Sequence, residues 1–430
     1  MQSVRTATVA TTTLAGVQWL FFIFANTLVI PISVGHAFHL APAVVTASLE
    51  RAFIYTGIAC ILQALIGHRL ALMEGPAGVW WGVILSLAAS AGAAGQSLES
   101  LGGSLEVGII ISGVLVVLLG ILGLGWWLRR LFSPIVTCTF YFLLAAQLTQ
   151  IFFKGMLGLS DSTVIQPPIA LLSLALVILV MALSIWGRGL LSNFALLIGI
   201  IVGWMVFRLL LPGSLPTFAP ADSAFFALFP WGRPAADIGI ITAVVLTGLM
   251  SMSNTFATLE NTKPLFGVSA SPEQYKRSFI ITGFSSIVSG ILGLVPYAPY
   301  TSSLGFLRAT RILGRAPLII GAAIFILLGA IPVLGQLFAA LPVSVGDAVL
   351  FVAYLQLFGA ALGAIEGISF TYKTIYRLAT PVLLGLALML IPASAFSTIP
   401  AIVRPLLQSG LVMGILVAML FEHAVRWKSA

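Results

Sequence analysis

Apolar residues run through this chain in stretches of about 20, the length a helix needs to cross the hydrocarbon core of a bilayer. Polar residues gather in the short intervals between them. Fourteen membrane segments are expected, over 12–33, 44–66, 70–93, 106–124, 133–152, 167–187, 190–211, 237–258, 274–295, 297–312, 316–339, 342–362, 376–396 and 401–421. A connection rich in Pro, Asp, Ala and Phe, Pro212–Ala236, parts the first seven from the second seven. The first stretch reads as a span and not as a cleaved leader. The third and tenth are too polar or too broken for plain spans, and they hold the same place in each set. Seven is odd, so the second set enters the membrane from the opposite side. That parity predicts an inverted repeat, an architecture of many secondary transporters. Ala25-Asn26-Thr27 and Ser253-Asn254-Thr255 are a faint trace of it, each preceding its broken segment by a similar distance.

The tenth segment carries Pro296-Tyr297-Ala298-Pro299-Tyr300-Thr301-Ser302-Ser303-Leu304-Gly305. Lipid cannot satisfy free backbone N–H and C=O groups, so a break at membrane depth must be covered by protein or line a polar cavity. A half-helix is expected to follow it. The third segment reads Met73-Glu74-Gly75-Pro76-Ala77-Gly78-Val79-Trp80-Trp81. A short extended piece is expected before Pro76, and a half-helix after it. The half-helix N–H groups, near Gly78 and Val79, can donate to a carbonyl or an anion. Glu74 sits at the break. An intramembrane carboxylate suggests a substrate contact or a proton carrier, against a cap on its own half-helix or a pairing with Arg69.

The eighth segment places Ser251, Asn254, Thr255 and Thr258 at i, i+3, i+4 and i+7, one polar stripe on a helix. Asn254 offers a donor and an acceptor; helix–helix adhesion by Ser, Thr and Asn is the alternative. Asn26 and Thr27 make a similar stripe in the first segment, with Gln18 read as an interhelical hydrogen-bonding residue. Tyr297 and Tyr300 could stack on a flat ring, whereas Trp80 and Trp81 read as core packing.

Composition narrows the class. The 430 residues are 60% hydrophobic and 7% charged, against roughly 25% charged in soluble proteins. This is the composition of an integral membrane protein. The net charge of +8 needs no nucleic-acid partner. With both termini in the cytoplasm, fifteen of the 20 Lys and Arg residues fall inside, among them Arg5, Arg69, Arg129, Arg130, Lys276, Arg277, Arg426 and Lys428. Lys154, Arg233 and Arg404 fall in outer loops, with Arg51 and Arg208 near outer span ends; this is the expected positive-inside bias. Cys60 and Cys138 are the only cysteines and read as packing residues. No His/Cys/Asp/Glu cluster suggests a metal, no Walker A loop suggests ATP, and no cofactor motif or nucleophile–base pair suggests an enzyme.

The motifs resemble those of the nucleobase–ascorbate transporter family. Gln18-Trp19 running to Asn26-Thr27 and Ile30-Pro31 resembles the family's opening helix, with Trp19 where the family carries His. Val295-Pro296 through Tyr300-Thr301-Ser302-Ser303-Leu304-Gly305 to Thr310-Arg311 is similar to its tenth-segment signature. Met73-Glu74-Gly75-Pro76 and Phe152-Phe153-Lys154-Gly155-Met156 resemble its bacterial uracil/purine permease branch. The resemblance implies an all-α membrane protein of fourteen segments in two inverted repeats. It implies a core domain, 12–124 with 237–339, and a gate domain, 125–211 with 340–421. Short strands in segments 3 and 10 would meet near the midplane, where a nucleobase binds, commonly together with a proton. An elevator motion, a homodimer and the bacterial cytoplasmic membrane are implied with it.

In the family, a Glu in segment 8, a His one turn later and a Glu in segment 10 serve the base. Here Ser251, Thr255 and Ser302 occupy those positions. The expected substrate-binding set is Asn26, Glu74, Gly78, Val79, Ser251, Asn254, Thr255, Tyr300, Thr301, Ser302 and Ser303, with Glu74 as the remaining acid for proton coupling. The alternative reading is an anion exchanger of the same architecture, because two half-helix N-termini lined by hydroxyls could also hold an anion.

Overall fold

In the computed structural model, residues 9–93, 97–123, 132–160, 162–188, 190–211, 220–400 and 403–424 are described. Arg5, Arg129, Arg130, Arg426 and Lys428 lie outside them. The chain is mostly helical. Its principal helices are α1 (Val9–Thr27), α2 (Val29–Ala37), α3 (Pro42–Leu65), α4 (Gly78–Ala93), α5 (Leu98–Ile121), α6 (Pro134–Met156), α7 (Pro167–Trp186), α8 (Ala195–Leu210), α9 (Ile238–Glu260) and α10 (Pro272–Leu292). These are followed by α11 (Ser302–Thr310), α12 (Arg315–Gly329), α13 (Pro332–Ala339), α14 (Val343–Tyr354), α15 (Gln356–Ala364), α16 (Tyr372–Leu390) and α17 (Gly410–Ala424). Two strands, β1 (Glu74–Pro76) and β2 (Tyr297–Pro299), interrupt the helices. Eight described helices are long and apolar enough to cross a membrane, counting α1–α2 and α14–α15 each as one.

Local chemistry sets the helix ends. Proline opens α3, α6, α7 and α10, where its missing N–H costs no hydrogen bond and its fixed φ suits the first turn. Ser271 and Gln274 form a reciprocal capping box on α10. Gly293 ends the same helix with φ 60°, left-handed backbone that glycine adopts without strain. The expected straight span over 316–339 is instead a pair of helices bent by 87°. Pro332 opens α13 and cannot donate into the last turn of α12. The expected span over 342–362 is divided at Leu355 between α14 and α15.

Two packing groups emerge. In one, α5 lies along α10 and α9, and α12 lies along α3 and α1. In the other, α6 is central and touches α14, α15, α16 and α17, while α7 and α8 pack on α14. Narrower contacts of α4 with α6 and of α2 with α14 join the groups. Exposed Leu171, Ile178 and Leu383 on α7 and α16 give the second group an apolar outer surface. Backbones approach closely where glycines face each other: a Cβ on Gly283 would lie 2.7 Å from Val117 N, and one on Gly113 2.7 Å from Gly283 O. Main chain cannot yield there as a flexible side chain can. Gly283→Val is therefore expected to destabilise the protein by about 1–3 kcal/mol. Thermal unfolding in detergent should show a lowered midpoint, with Gly359→Ala, an open position, as the unchanged control.

Candidate functional site

β1 and β2 are antiparallel and pair Glu74 with Pro299, Gly75 with Ala298 and Pro76 with Tyr297. The ladder continues beyond them. Tyr300 N donates to Met73 O at 2.9 Å, and Ala77 N to Pro296 O at 2.8 Å. Met73 N donates to Ser303 Oγ at 3.1 Å. Pro76, Pro296 and Pro299 bring no N–H that would need a partner. Each strand runs into a half-helix, α4 at Gly78 and α11 at Ser302. First-turn N–H groups of a helix have no partner within it. At α4 they belong to Gly78 and Val79, both beside the crossing.

Alternation along a strand sends successive side chains to opposite faces. Met73, Gly75, Ala298 and Tyr300 share one face of the crossing. Glu74, Pro76, Tyr297 and Pro299 share the other. On the first face, Tyr300 Oη donates to Pro76 O at 2.6 Å and lies 3.4 Å from Asn26 O on α1. The Tyr354 hydroxyl, from α14, interacts with that of Tyr300. A Cβ on Gly75 would meet the Tyr300 ring at 3.0 Å, and one on Gly78 the Tyr354 ring at 3.0 Å. Both positions need glycine for these rings to close in. Trp81 and Phe152 complete an aromatic wall, with ring centroids 6.0 and 5.6 Å from Tyr354.

α9 supplies the hydroxyls. Thr258 Oγ1 lies 2.8 Å from Thr301 Oγ1 and 3.2 Å from Pro299 O, which ties α9 to the crossing. One and two turns earlier on this stripe are Thr255 and Ser251. Both are buried, and neither hydroxyl has a hydrogen-bond partner among the described residues. Thr27 Oγ1 on α1 is in the same condition. Asn254 is half-buried beside them. Buried polar atoms in native proteins are nearly always paired, so these free hydroxyls stand out.

The expected site residues thus divide. Gly78, Val79 and Tyr300 lie at the crossing and its half-helix tips, Thr255 and Ser251 lie one and two turns along α9 from the Thr258 that touches it, and Ser302 is exposed at the start of α11. Ser303 and Thr301 are occupied in holding the crossing together. The amide of Asn26 donates to Phe22 O of its own helix, leaving its main-chain carbonyl toward Tyr300. Glu74 points to the other face: Thr282 Oγ1 of α10 donates to its Oε1 at 2.7 Å. It makes no ion pair with Arg69 among the described residues. Tyr354 and Gln147 were not anticipated. Gln147 Nε2 donates to Gly82 O at 2.8 Å, joining α6 to α4, while its Oε1 is free. The signal in each case was a polar side chain in the middle of an apolar segment.

Residues 10–423 match the Permease family. The chain belongs to this family, the nucleobase–ascorbate transporter family. It is 29% identical to a putative purine permease, YwdJ, of Bacillus subtilis, over 96% of each chain. It is 23% identical to the uric acid permease PucJ of the same organism, over 93% of this chain and 89% of the relative. The uric acid transporter UacT of Escherichia coli is also 23% identical, over 95% of this chain and 84% of the relative. Among solved structures, the transmembrane domain of the cyanobacterial bicarbonate transporter BicA superposes with a TM-score of 0.65 at 14% identity, over 95% of this chain and 97% of that one. Murine Slc26a9, an anion transporter, gives 0.60 at 11%, over 98% and 69%. At such identity these two establish the fold alone. The permease is an integral membrane transporter and not an enzyme.

Ser303 and Ser302 offer a direct test of this division of labour. Ser303→Ala leaves Met73 N unpaired at membrane depth, a loss of about 1–3 kcal/mol. Its thermal midpoint in detergent should fall, while that of Ser302→Ala should stay near the wild-type value.

Proposed function

We propose that this permease is a secondary active transporter that brings a nucleobase, a purine such as xanthine or uracil, across the bacterial cytoplasmic membrane. The observation that carries the reading is the set of free buried hydroxyls: Thr255 and Ser251 on the α9 stripe that Thr258 ties to the strand crossing, and Thr27 next to the Asn26 carbonyl that Tyr300 approaches. Nucleobases are flat, neutral and edged with alternating donors and acceptors. Hydroxyls can both donate and accept, and the Tyr300 and Tyr354 rings provide flat apolar surface beside them. Relatives named as purine and uric acid permeases support the same class.

The reading includes fourteen segments in two inverted repeats, with core and gate domains over 12–124 with 237–339 and 125–211 with 340–421. The two packing groups support that division. It includes movement of the core against the gate, a homodimer, both termini in the cytoplasm, and coupling to protons with Glu74 as the carrier. Tyr354 then belongs to the gate and meets Tyr300 of the core across the substrate site.

Binding of xanthine, uric acid, uracil, sulfate and bicarbonate to the purified permease, read as thermal shift, tests the cargo. A base should raise the midpoint and the anions should not; the reverse result overturns the reading. Ser251→Ala and Thr255→Val each remove one hydrogen bond of about 1 kcal/mol. Each should weaken the affinity for the stabilising base by roughly five- to tenfold, measured by radioligand binding, without lowering the unliganded midpoint.

A further inference from the structure

The face of the crossing that holds Glu74 is packed by α3 and α10, and this contact is unusually polar for membrane depth. α10 presents Ser278, Thr282, Ser285 and Ser289 at i, i+4, i+7 and i+11, a single stripe. α3 presents Tyr55, Thr56, Cys60 and Gln63. Thr282 Oγ1 donates to Glu74 Oε1, and Gln63 Nε2 reaches Thr282 Oγ1 at 3.1 Å and Ser278 O at 3.3 Å. Cys60 Sγ lies 3.3 Å from Glu74 O. Tyr297 Oη lies 2.9 Å from Thr56 Oγ1, and its ring packs edge-on against Tyr55 at 5.2 Å.

The network is incomplete. Glu74 Oε2, Tyr55 Oη, Ser278 Oγ and Ser285 Oγ are buried without a well-formed hydrogen bond among the described residues. His68 Nε2, at the end of the same seam, is also free. Each such atom left bare is unfavourable, because it has lost water and gained no partner. Several bare atoms around one carboxyl group are the setting in which buried water is found, bridging otherwise unsatisfied groups. The titratable groups facing Glu74 are Tyr55 and Cys60 of α3 and Tyr297 of β2, with His68 in the loop before β1. Thr282 and the serines are what α10 offers. The nearest buried cation on α3, Arg51, lies toward its other end with Glu50 and Glu106, and no Lys or Arg forms an ion pair with Glu74 among the described residues.

We propose that this rear face is a proton site separate from the nucleobase site. Glu74 carries the proton, and water held by Tyr55, Ser278 and Ser285 delivers it. The step is a simple transfer: a hydronium gives its proton to Glu74 Oε2, an O–H bond forms there, and the same bond breaks to water after the core has moved. Base and proton then occupy opposite faces of the same strand pair and can be bound together. The proposal rests on the transporter reading given above and adds where the proton sits and by which groups it arrives.

Two experiments on the purified permease test it. In the first, difference infrared spectroscopy follows the carboxylic C=O band through a pH titration without any substrate. A titrating band should be present in the wild type and missing in Glu74→Gln. It should shift in Tyr55→Phe and Ser285→Ala, and stay in place in Ser251→Ala on the other face. Absence of a Glu74 band, or one that follows Ser251→Ala and ignores the rear-face variants, overturns the proposal. In the second, proteoliposomes compare counterflow exchange of radiolabelled xanthine with its accumulation driven by a pH gradient. Tyr55→Phe/Ser285→Ala should lose about tenfold in gradient-driven accumulation and keep exchange within about twofold. Glu74→Gln should abolish accumulation, and Glu74→Asp should restore part of it. Equal loss of both processes, or unchanged accumulation in Glu74→Gln, overturns the rear-face role. If the wild type exchanges no base at all, the cargo reading fails, and the infrared result still decides the proton site.

Discussion

A peptide group in hydrocarbon must find its hydrogen bond within the protein, and the whole site follows from how this chain meets that demand where its helices stop. Two segments break at matching places. Each break leaves a few residues of extended backbone that neither water nor its own helix can satisfy. The solution is to pair one break with the other. Five residues of each segment, 73–77 and 296–300, satisfy one another through the β1–β2 ladder and its flanking bonds. Ser303 and Thr258 close the ends. The crossing is small, so its stability depends on every donor having been removed or matched. This explains the three prolines in so short a span of backbone. They subtract N–H groups that the short ladder could not have used.

A pair of strands has something a helix lacks, two faces that alternate residue by residue. That divides the chemistry. One face carries Tyr300 and opens toward α1, α9 and the α14 tyrosine. The other carries Glu74 and Tyr297 and is sealed by α3 and α10. The α4 tip adds first-turn N–H groups at the crossing, which suits neutral carbonyls and anions alike, whereas at α11 Ser303 N and Leu304 N already donate to Tyr300 O and Thr301 O. The likeness to the two solved transporters is one of fold alone, and a fold does not by itself name a cargo. Around this crossing the side chains are hydroxyls and aromatic rings.

Much of this was legible in the residues. Eight of the apolar stretches appear among the described residues as helices long enough to cross a membrane, because period and length survive in any lipid-facing sequence. Both broken segments were identified from proline and polar residues at depth. The Pro332 bend was missed because a proline near the end of a long apolar run also suits a simple helix end. The direction of Glu74 was missed for a different reason. A three-residue strand buried on both faces carries no alternation to read. Only its partner Thr282, 208 residues away in the chain and itself held by Gln63, settles which way the carboxyl points. Tyr354 escaped because a lone tyrosine in a largely apolar helix also suits packing or an interfacial anchor, and its approach to Tyr300 belongs to the packing of one helix group on the other.

The same geometry bears on how an energy source could reach the cargo. At Ser251 and Ser302 the hydroxyls that replace the family's carboxylates hold hydrogen bonds but do not ionise in the physiological range. Under the proposed function, a proton that drives transport is held elsewhere, and its binding changes the affinity for the base. Linkage makes that coupling reciprocal: whatever the proton adds to base binding, the base adds to proton binding. A contact between the two ligands is not required if both act on one rigid element. β1 is such an element. Glu74 hangs from one side of it and Gly75 abuts Tyr300 on the other, with a single peptide between them. A change in charge at Glu74 alters its bond to Thr282 and so the seating of the strand against α10. The same displacement moves the Pro76 carbonyl that Tyr300 binds at 2.6 Å. In the proposed coupling, so short a ladder passes that shift from one face to the other.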